Sequence, residues 1–346
     1  MKKIVKSLLN PGSPAFEKVK HARDVAKKIF YAPVFRLQCY AYDFRIDRHH
    51  MNWKRSGSDY WRLSSELIFF YHKLEKGMCL PPTTRRFFGE AALDQTIALM
   101  HEWQAIGLDT NLPVYRATQS VLRAYRHNAV PLASQPAVHD RLVAKIDPLI
   151  MDGAGEEYVT PIRPPAIPDS AFASLKGLAQ SRRSTRDFDI TPVDFKIVEQ
   201  AVEIAQLAPS ACNRQPWHLH FYDKPDDIAR MLKLQNGNTG FGQTIPLLAL
   251  VTADLGAFFD SSERIEPALD GGLFLMSFLL ALEAQGLASC CLNFCVGPKT
   301  DKMAHRIGNI PEQEKILTFL AIGHRRDGAI TPLSPRRPIS DVIRVH

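Results

Sequence analysis

Two kinds of hydrophobic periodicity divide the chain, and the change falls near its middle. Before residue 150, apolar residues recur at helical spacing. "YWRLSSELIFFYHKLEKG" (60–77) is one such run, closed by Gly77 with Pro81 and Pro82 beyond it. Similar runs near 91–106, 113–127 and 138–150 make the first half all-α by expectation. After residue 170, helical and alternating patterns interleave. "TPVDFKIVEQAVEIAQLA" predicts a helix with Thr191 as N-cap and Pro192 at its first position. "WHLHFY" alternates like a strand, and "PLLALVTA" and "LTFLAIG" are predicted to be buried strands. "ALDGGLFLMSFLLALEAQG" is apolar nearly all round, which predicts a central buried helix ended by Gly286. "LASCCLNF" then returns to strand. The second half is therefore expected to be α+β, a sheet packed on one long helix.

Between the halves runs "MDGAGEEYVTPIRPPAIPDS". Prolines 161, 164, 165 and 168 follow two glycines, and no periodic apolar pattern survives them. Proline fixes φ and pushes its predecessor out of helix, so this stretch is predicted to be an extended linker. The expected division is a helical domain over 1–150, a linker over 151–170 and a second domain over 171–346. A length of 346 residues suits two domains.

Charge changes the picture of the first half. Residues 1–60 hold 13 Lys+Arg against 5 Asp+Glu, which is +8, while the whole chain carries +7. Such a segment is either a solvated basic face or a site of peripheral contact with a membrane or an acidic glycan. No base-reading motif accompanies it, so nucleic acid is not an expected partner. Six cysteines without CxxC spacing argue for a reducing, cytoplasmic setting. The run "LFLMSFLLAL" falls well short of the roughly 20 residues that span a bilayer. His72 and Glu75 sit one helical turn apart, but a single pair makes a poor metal site. Cys290, Cys291 and Cys295 match no zinc spacing and are expected to pack in the core. No metal site is expected.

Four stretches concentrate polar chemistry. "SRRSTRDF" packs three arginines and two hydroxyls into Arg182–Arg186, a donor set that suits a phosphate and equally a solvated turn. "APSACNRQPW" crowds a hydroxyl and two amides just before a strand, as a plain turn or as a ligand cradle. "LASCCLNFCVGP" leaves a buried helix with free backbone donors, and "SPRRPISDVI" is again arginine-rich.

Together, "RRSTRDF", "APSACNRQPW", "DGGLFLMSFLLALEAQGLAS", "FLAIGHRRD" and "PRRPISDVI" resemble, in order, the nitroreductase family of FMN-dependent oxidoreductases. The likeness covers about residues 172–345. It implies a nitroreductase-like α+β fold, with a mixed central sheet on a long buried helix, preceded here by the all-α domain. It also implies a homodimer with FMN at each subunit interface. By resemblance, Arg182, Arg183 and Ser184 hold the FMN phosphate and ribityl chain, joined by Arg336 or Arg337. Arg186 faces the pyrimidine edge, where a cation stabilises the charge of the reduced ring. Pro209, Ser210, Ala211 and Asn213 form a wall against the flavin, partly from the partner subunit, with Gln215 and Trp217 locking it. Asn238 lies near the isoalloxazine edge, and Leu292 and Asn293 lie near N5. Phe241 replaces a basic residue common in the family, and the lid segment between Asp254 and Asp270 is short.

The implied activity passes hydride from NAD(P)H to a small-molecule electron acceptor in ping-pong fashion. The helical half resembles extensions on nitroreductase-like proteins associated with bacterial surface-polysaccharide genes. The rival expectation is a non-catalytic accessory protein in polysaccharide assembly, with the helical domain as interaction module.

Overall fold

The computed structural model describes residues 16–17, 20, 32–53, 60–84, 86–133, 135–150, 158 and 160–346. Much of the basic segment 1–60 and of the linker 151–170 lies outside the described residues.

Helix α1 (Ala32–His50) is followed by α2 (Tyr60–Met78), α3 (Glu90–Ala105), α4 (Pro113–Asn128) and α5 (Pro136–Ile146). The predicted stripe of α2 is the reason these helices assemble. Leu63, Leu67 and Leu74 meet Leu93, Met100 and Trp103 of α3 and Leu122 and Tyr125 of α4, all buried. Arg62 is buried in the same bundle, paired with Glu66 (2.7 Å) and Glu102 (2.5 Å). Helix α1 instead exposes Val34, Leu37, Tyr40 and Phe44 along its length. His72 is held by Glu75 (2.8 Å), whose other oxygen accepts from Thr160 Oγ1 (3.0 Å). Among the described residues, no cluster of three or more His, Cys, Asp or Glu is arranged to hold a metal.

The second half opens with α6 (Ala171–Ser181) and α7 (Phe195–Ala205). Thr191 does not cap α7. Asp189 captures its N–H (2.8 Å) and hydroxyl, so the chain turns and the helix starts later, capped by Asp194 (3.0 Å to Lys196 N). Strand β1 (Trp217–Tyr222), α8 (Pro225–Leu232) and β2 (Leu247–Asp254) lead to α9 (Glu266–Ala284). Strand β3 (Ala288–Leu292), α10 (Pro298–Gly308), β4 (Glu314–Gly323) and the short α11 (Ile339–Val342) complete the chain. The sheet order is β1-β2-β4-β3, with antiparallel ladders throughout. The four strands therefore form an antiparallel sheet rather than the mixed one expected, and the one parallel pairing is an isolated bridge between Ser184 and Ser289 outside the named strands.

Alternation along the strands splits the core. Leu248, Leu250, Cys290 and Leu292 face α8 and α10, while Trp217, Leu247, Ala249 and Leu320 face α7 and α9. Gly271 lets α9 approach β4, since a Cβ there would lie 2.1 Å from Leu317 Cδ1. Helix α9 is long and apolar enough to cross a membrane by length and composition alone. It packs on α7 and the sheet, yet it is not buried all round: Leu269 is 51% exposed, Leu273 40% and Met276 45%. Its apolarity exceeds what the rest of the chain covers. Of the three clustered cysteines only Cys290 is buried; Cys291 and Cys295 are exposed. Successive strand side chains point to opposite faces, so Cys290 enters the core and Cys291 faces outward.

The two halves interlock. Met51 is buried with Leu255, Ala257 and Phe258, and Trp53 Nε1 donates to Gly256 O (2.8 Å). Tyr42 donates to Asp301 (2.8 Å), and Trp61 meets His218 edge-on at 4.3 Å. The short 254–270 segment is thus a docking face for the first half.

Candidate functional site

The arginine segment leaves α6 and runs beside β3. Thr185 donates its N–H to Ser289 O (3.1 Å), and Phe188 bridges Arg325. Arg325 Nε reaches Thr185 Oγ1 (3.2 Å), and Arg326 donates to Asp187 (2.8 Å) and Phe188 O (2.8 Å). These contacts explain why "RRSTRDF" and "FLAIGHRRD" belong together despite their separation in sequence. The stapled backbone leaves Arg182, Arg183 and Ser184 half-buried and Arg186 exposed. Arg183 donates to Arg182 O (2.9 Å). Burial pushes the Cys290 thiol upward, opposed by Arg186 and by a hydrogen bond with Ser184, which locates both residues against β3. Arg182 Nε is shielded from water and has no acceptor among the described residues. Leaving such a donor unpaired costs about 1–3 kcal/mol, which an anion would recover. The donor set therefore fits a phosphate.

The second stretch, Pro209–Gln215, connects α7 to β1. Cys212, Asn213 and Gln215 take φ values of 52°, 58° and 52°. Non-glycine residues occupy this left-handed region at a cost of about 1–2 kcal/mol each, so the turn needs external support. Asp270 supplies it from the second turn of α9, accepting Ala211 N on both oxygens (3.1 Å each). Arg214 Nε donates to Ala211 O (2.8 Å), and Ser210 Oγ accepts from Gln215 N (3.0 Å). Gln215 Nε2 donates to Asn213 O (3.1 Å), and Trp217 stacks on Phe274 with centroids 4.8 Å apart. Pro209 and Asn213 stay exposed, with Ser210 and Ala211 half-buried. Burial raises the Asp270 carboxyl to about 6, against the opposing pull of the Ala211 N–H and Arg214.

Asn238 turns inward on its own loop. Its Nδ2 donates to Leu232 O (2.9 Å), Gln235 O (3.0 Å) and Gln235 Oε1 (2.8 Å). Gln235 in turn donates to Asn293 O (2.9 Å), tying the loop to the end of β3. Leu292 O accepts from Thr318 Oγ1 (3.0 Å), and Asn293 Oδ1 accepts from Cys295 N (3.1 Å). Phe241 is buried core. Sequence reasoning missed Asp270, Arg214 and Gln235. An acid beside Gly-Gly in an apolar helix, and the arginine inside "CNRQPW", were the available signals.

The structure joins these groups only in part. The arginines, Cys290 and Asn293 gather along β3, whereas the Pro209–Gln215 turn sits at β1, the other edge of the sheet. Three inter-strand spacings separate those edges, about 14 Å. Arg336 and Arg337 lie in the exposed C-terminal stretch, where Arg336 donates to Ser334 O. Neither is hydrogen-bonded to the Arg182 cluster.

The site lies on an α+β sheet with helices on both faces, and joins an anion-seeking arginine segment to a strained polar turn. Residues 179–239 match the family model described as "Nitroreductase family". The 4-nitrobenzoate reductase of Pseudomonas putida is 27% identical over 156 residues, 32% of this chain and 68% of that protein. Iodotyrosine deiodinase 1 of Sus scrofa is 23% identical over 199 residues, 48% of this chain and 66% of that protein. The aligned stretch thus spans about two-thirds of each relative. Among solved structures, a nitroreductase family protein from Streptococcus pneumoniae TIGR4 is 24% identical, with a TM-score of 0.42. It covers 50% of this chain and 100% of that one. An FMN-dependent nitroreductase from Clostridium difficile R20291 is 18% identical with a TM-score of 0.40, covering 45% and 91%.

Proposed function

We propose that this protein is an FMN-dependent NAD(P)H oxidoreductase acting on a small-molecule electron acceptor. The observation that carries the reading is Arg182 Nε, a buried cationic donor with no acceptor among the described residues, inside a segment stapled to β3. When bound, FMN would supply the redox chemistry that moves hydride from NAD(P)H to the acceptor. Arg182, Arg183 and Ser184 hold the phosphate by charge-assisted hydrogen bonds. Arg186, exposed beside Cys290, stabilises negative charge at the pyrimidine edge. The backbone at Leu292 and Asn293, fixed by Thr318 and Gln235, orients the ring. Pro209, Ser210, Ala211 and Asn213 exclude water from its other side.

The same reading makes the working unit a homodimer. Two arms of one site on opposite sheet edges are completed by a second copy. The uncovered apolar residues of α9, with Phe172 and Leu175 of α6, supply a face for it. The C-terminal stretch, bearing Ile339, Val342 and Val345 in the open, is suited to cross to the partner with Arg336 and Arg337. Free cysteines suit a cytoplasmic enzyme. Fluorescence titration with FMN tests the assignment: one FMN per subunit is expected, and no binding would refute it.

A further inference from the structure

The first half of the chain packs on the strained turn through α2 and also closes around one of the turn's buried side chains. Arg214 is 1% exposed, and its guanidinium is bound on all sides. Glu263 accepts from its Nη1 (2.9 Å) and Nη2 (2.6 Å), Ala257 O from Nη1 (2.9 Å), and Ala211 O from Nε (2.8 Å). Glu263 is itself fixed by Phe259 N (3.0 Å). Three aromatic rings close the guanidinium's pocket: Phe258 at 4.9 Å, Phe69 at 5.5 Å and Trp53 at 5.9 Å. Phe69 lies on α2 and Trp53 follows α1, so two of the three come from the helical half. They also pack on each other (5.4 Å) and on Phe259 (5.8 and 5.9 Å).

A guanidinium pairs with a carboxylate and stacks on aromatic faces more strongly when water is kept away. The helical half supplies that exclusion. Arg214 in turn holds Ala211 O, while Asp270 holds Ala211 N, so the residue before three left-handed positions is gripped at both ends.

We infer that the helical half is a clamp that preorganises the Pro209–Gln215 turn, with Arg214 as the positioning residue that transmits it. The flavin part of this inference rests on the function proposed above; the clamp itself does not. A turn with three residues in left-handed conformations stays in place only if its surroundings over-determine it. A turn that is held before the cofactor arrives binds without the entropic cost of ordering.

The test compares full-length wild type, the Trp53→Ala/Phe69→Ala double variant and the milder Arg214→Lys. Arg214→Lys keeps the charge and loses the planar fork. Native-state hydrogen exchange is read at the amides of Ala211, Asn213, Arg214 and Gln215, each of which donates within the turn or to Asp270. The expected result is exchange at these amides at least about tenfold faster in both variants, with β2 amides unchanged. FMN affinity should fall by about tenfold, equivalent to about 1.4 kcal/mol. Unchanged exchange in the turn of a folded variant overturns the clamp, as does acceleration spread equally through β2. Faster turn exchange with unchanged FMN affinity overturns its role in the cofactor site. If the double variant does not fold, Arg214→Lys decides alone. If wild type binds no FMN, the proposed function fails while the exchange comparison still decides the clamp.

Discussion

Asp270 offers a prediction whose magnitude follows from its surroundings. Its carboxyl is 2% exposed and is raised from 3.8 to about 6, chiefly by burial and partly by Glu266. The folded pKa lies above the unfolded one, so its stabilising contribution is complete below pH 4 and is lost as pH rises through 6. Two units correspond to about 3 kcal/mol at most, since each unit is about 1.4 kcal/mol. Asp270→Asn keeps an oxygen to accept Ala211 N and removes the ionisation. The variant should lose this part of the pH dependence and gain relative stability above pH 6. Urea melts of both proteins from pH 4 to pH 8 measure it, and the difference between the curves isolates the one group. Parallel curves across that window would refute the reasoning, because a buried, ionising Asp270 cannot be replaced without changing the slope.

Other expectations follow from the same geometry. Arg182→Ala should weaken FMN binding by about 1.5–3 kcal/mol, the scale of a hydrogen bond to a charged group, and unchanged affinity refutes the phosphate assignment. Sedimentation should show a homodimer, since obligate interfaces bury upwards of about 2,000 Å² and α9 exposes a matching apolar face; an FMN-loaded monomer at micromolar concentration excludes it. The basic first 60 residues, with the exposed stripe Val34, Leu37, Tyr40 and Phe44 on α1, should bind anionic vesicles at low salt and release them as salt rises. Indifference to such vesicles at low salt rejects that contact.

Much of this was legible in the chain because single-face periodicity is a local signal. The α2 stripe, the largely apolar β2 and the long α9 each announce themselves by spacing. The start of α7 was misjudged because Asp189 and Asp194 both compete to cap, and only the fold decides which turn wins. The exposed face of α9 was hidden for a different reason: apolar periodicity records that a face is covered, not by what. The arginines and the polar turn were visible as residue types. What holds them was not, since Asp270 and Arg214 act over separations of 59 and 49 residues from their partners Ala211 and Glu263. Nor did any pattern show that Trp53 and Phe69, in the other half, would close on that arginine.

The central claim is that a flavin bound at the arginine segment takes electrons from a nicotinamide. The most direct measurement is the visible absorption spectrum of the purified protein, loaded with FMN, before and after anaerobic addition of NADH or NADPH. The account predicts a yellow protein whose flavin bands bleach with at least one of the two and return when an electron acceptor such as a nitroaromatic is added. A protein that stays colourless in excess FMN, or bound flavin that neither nicotinamide bleaches, would contradict it.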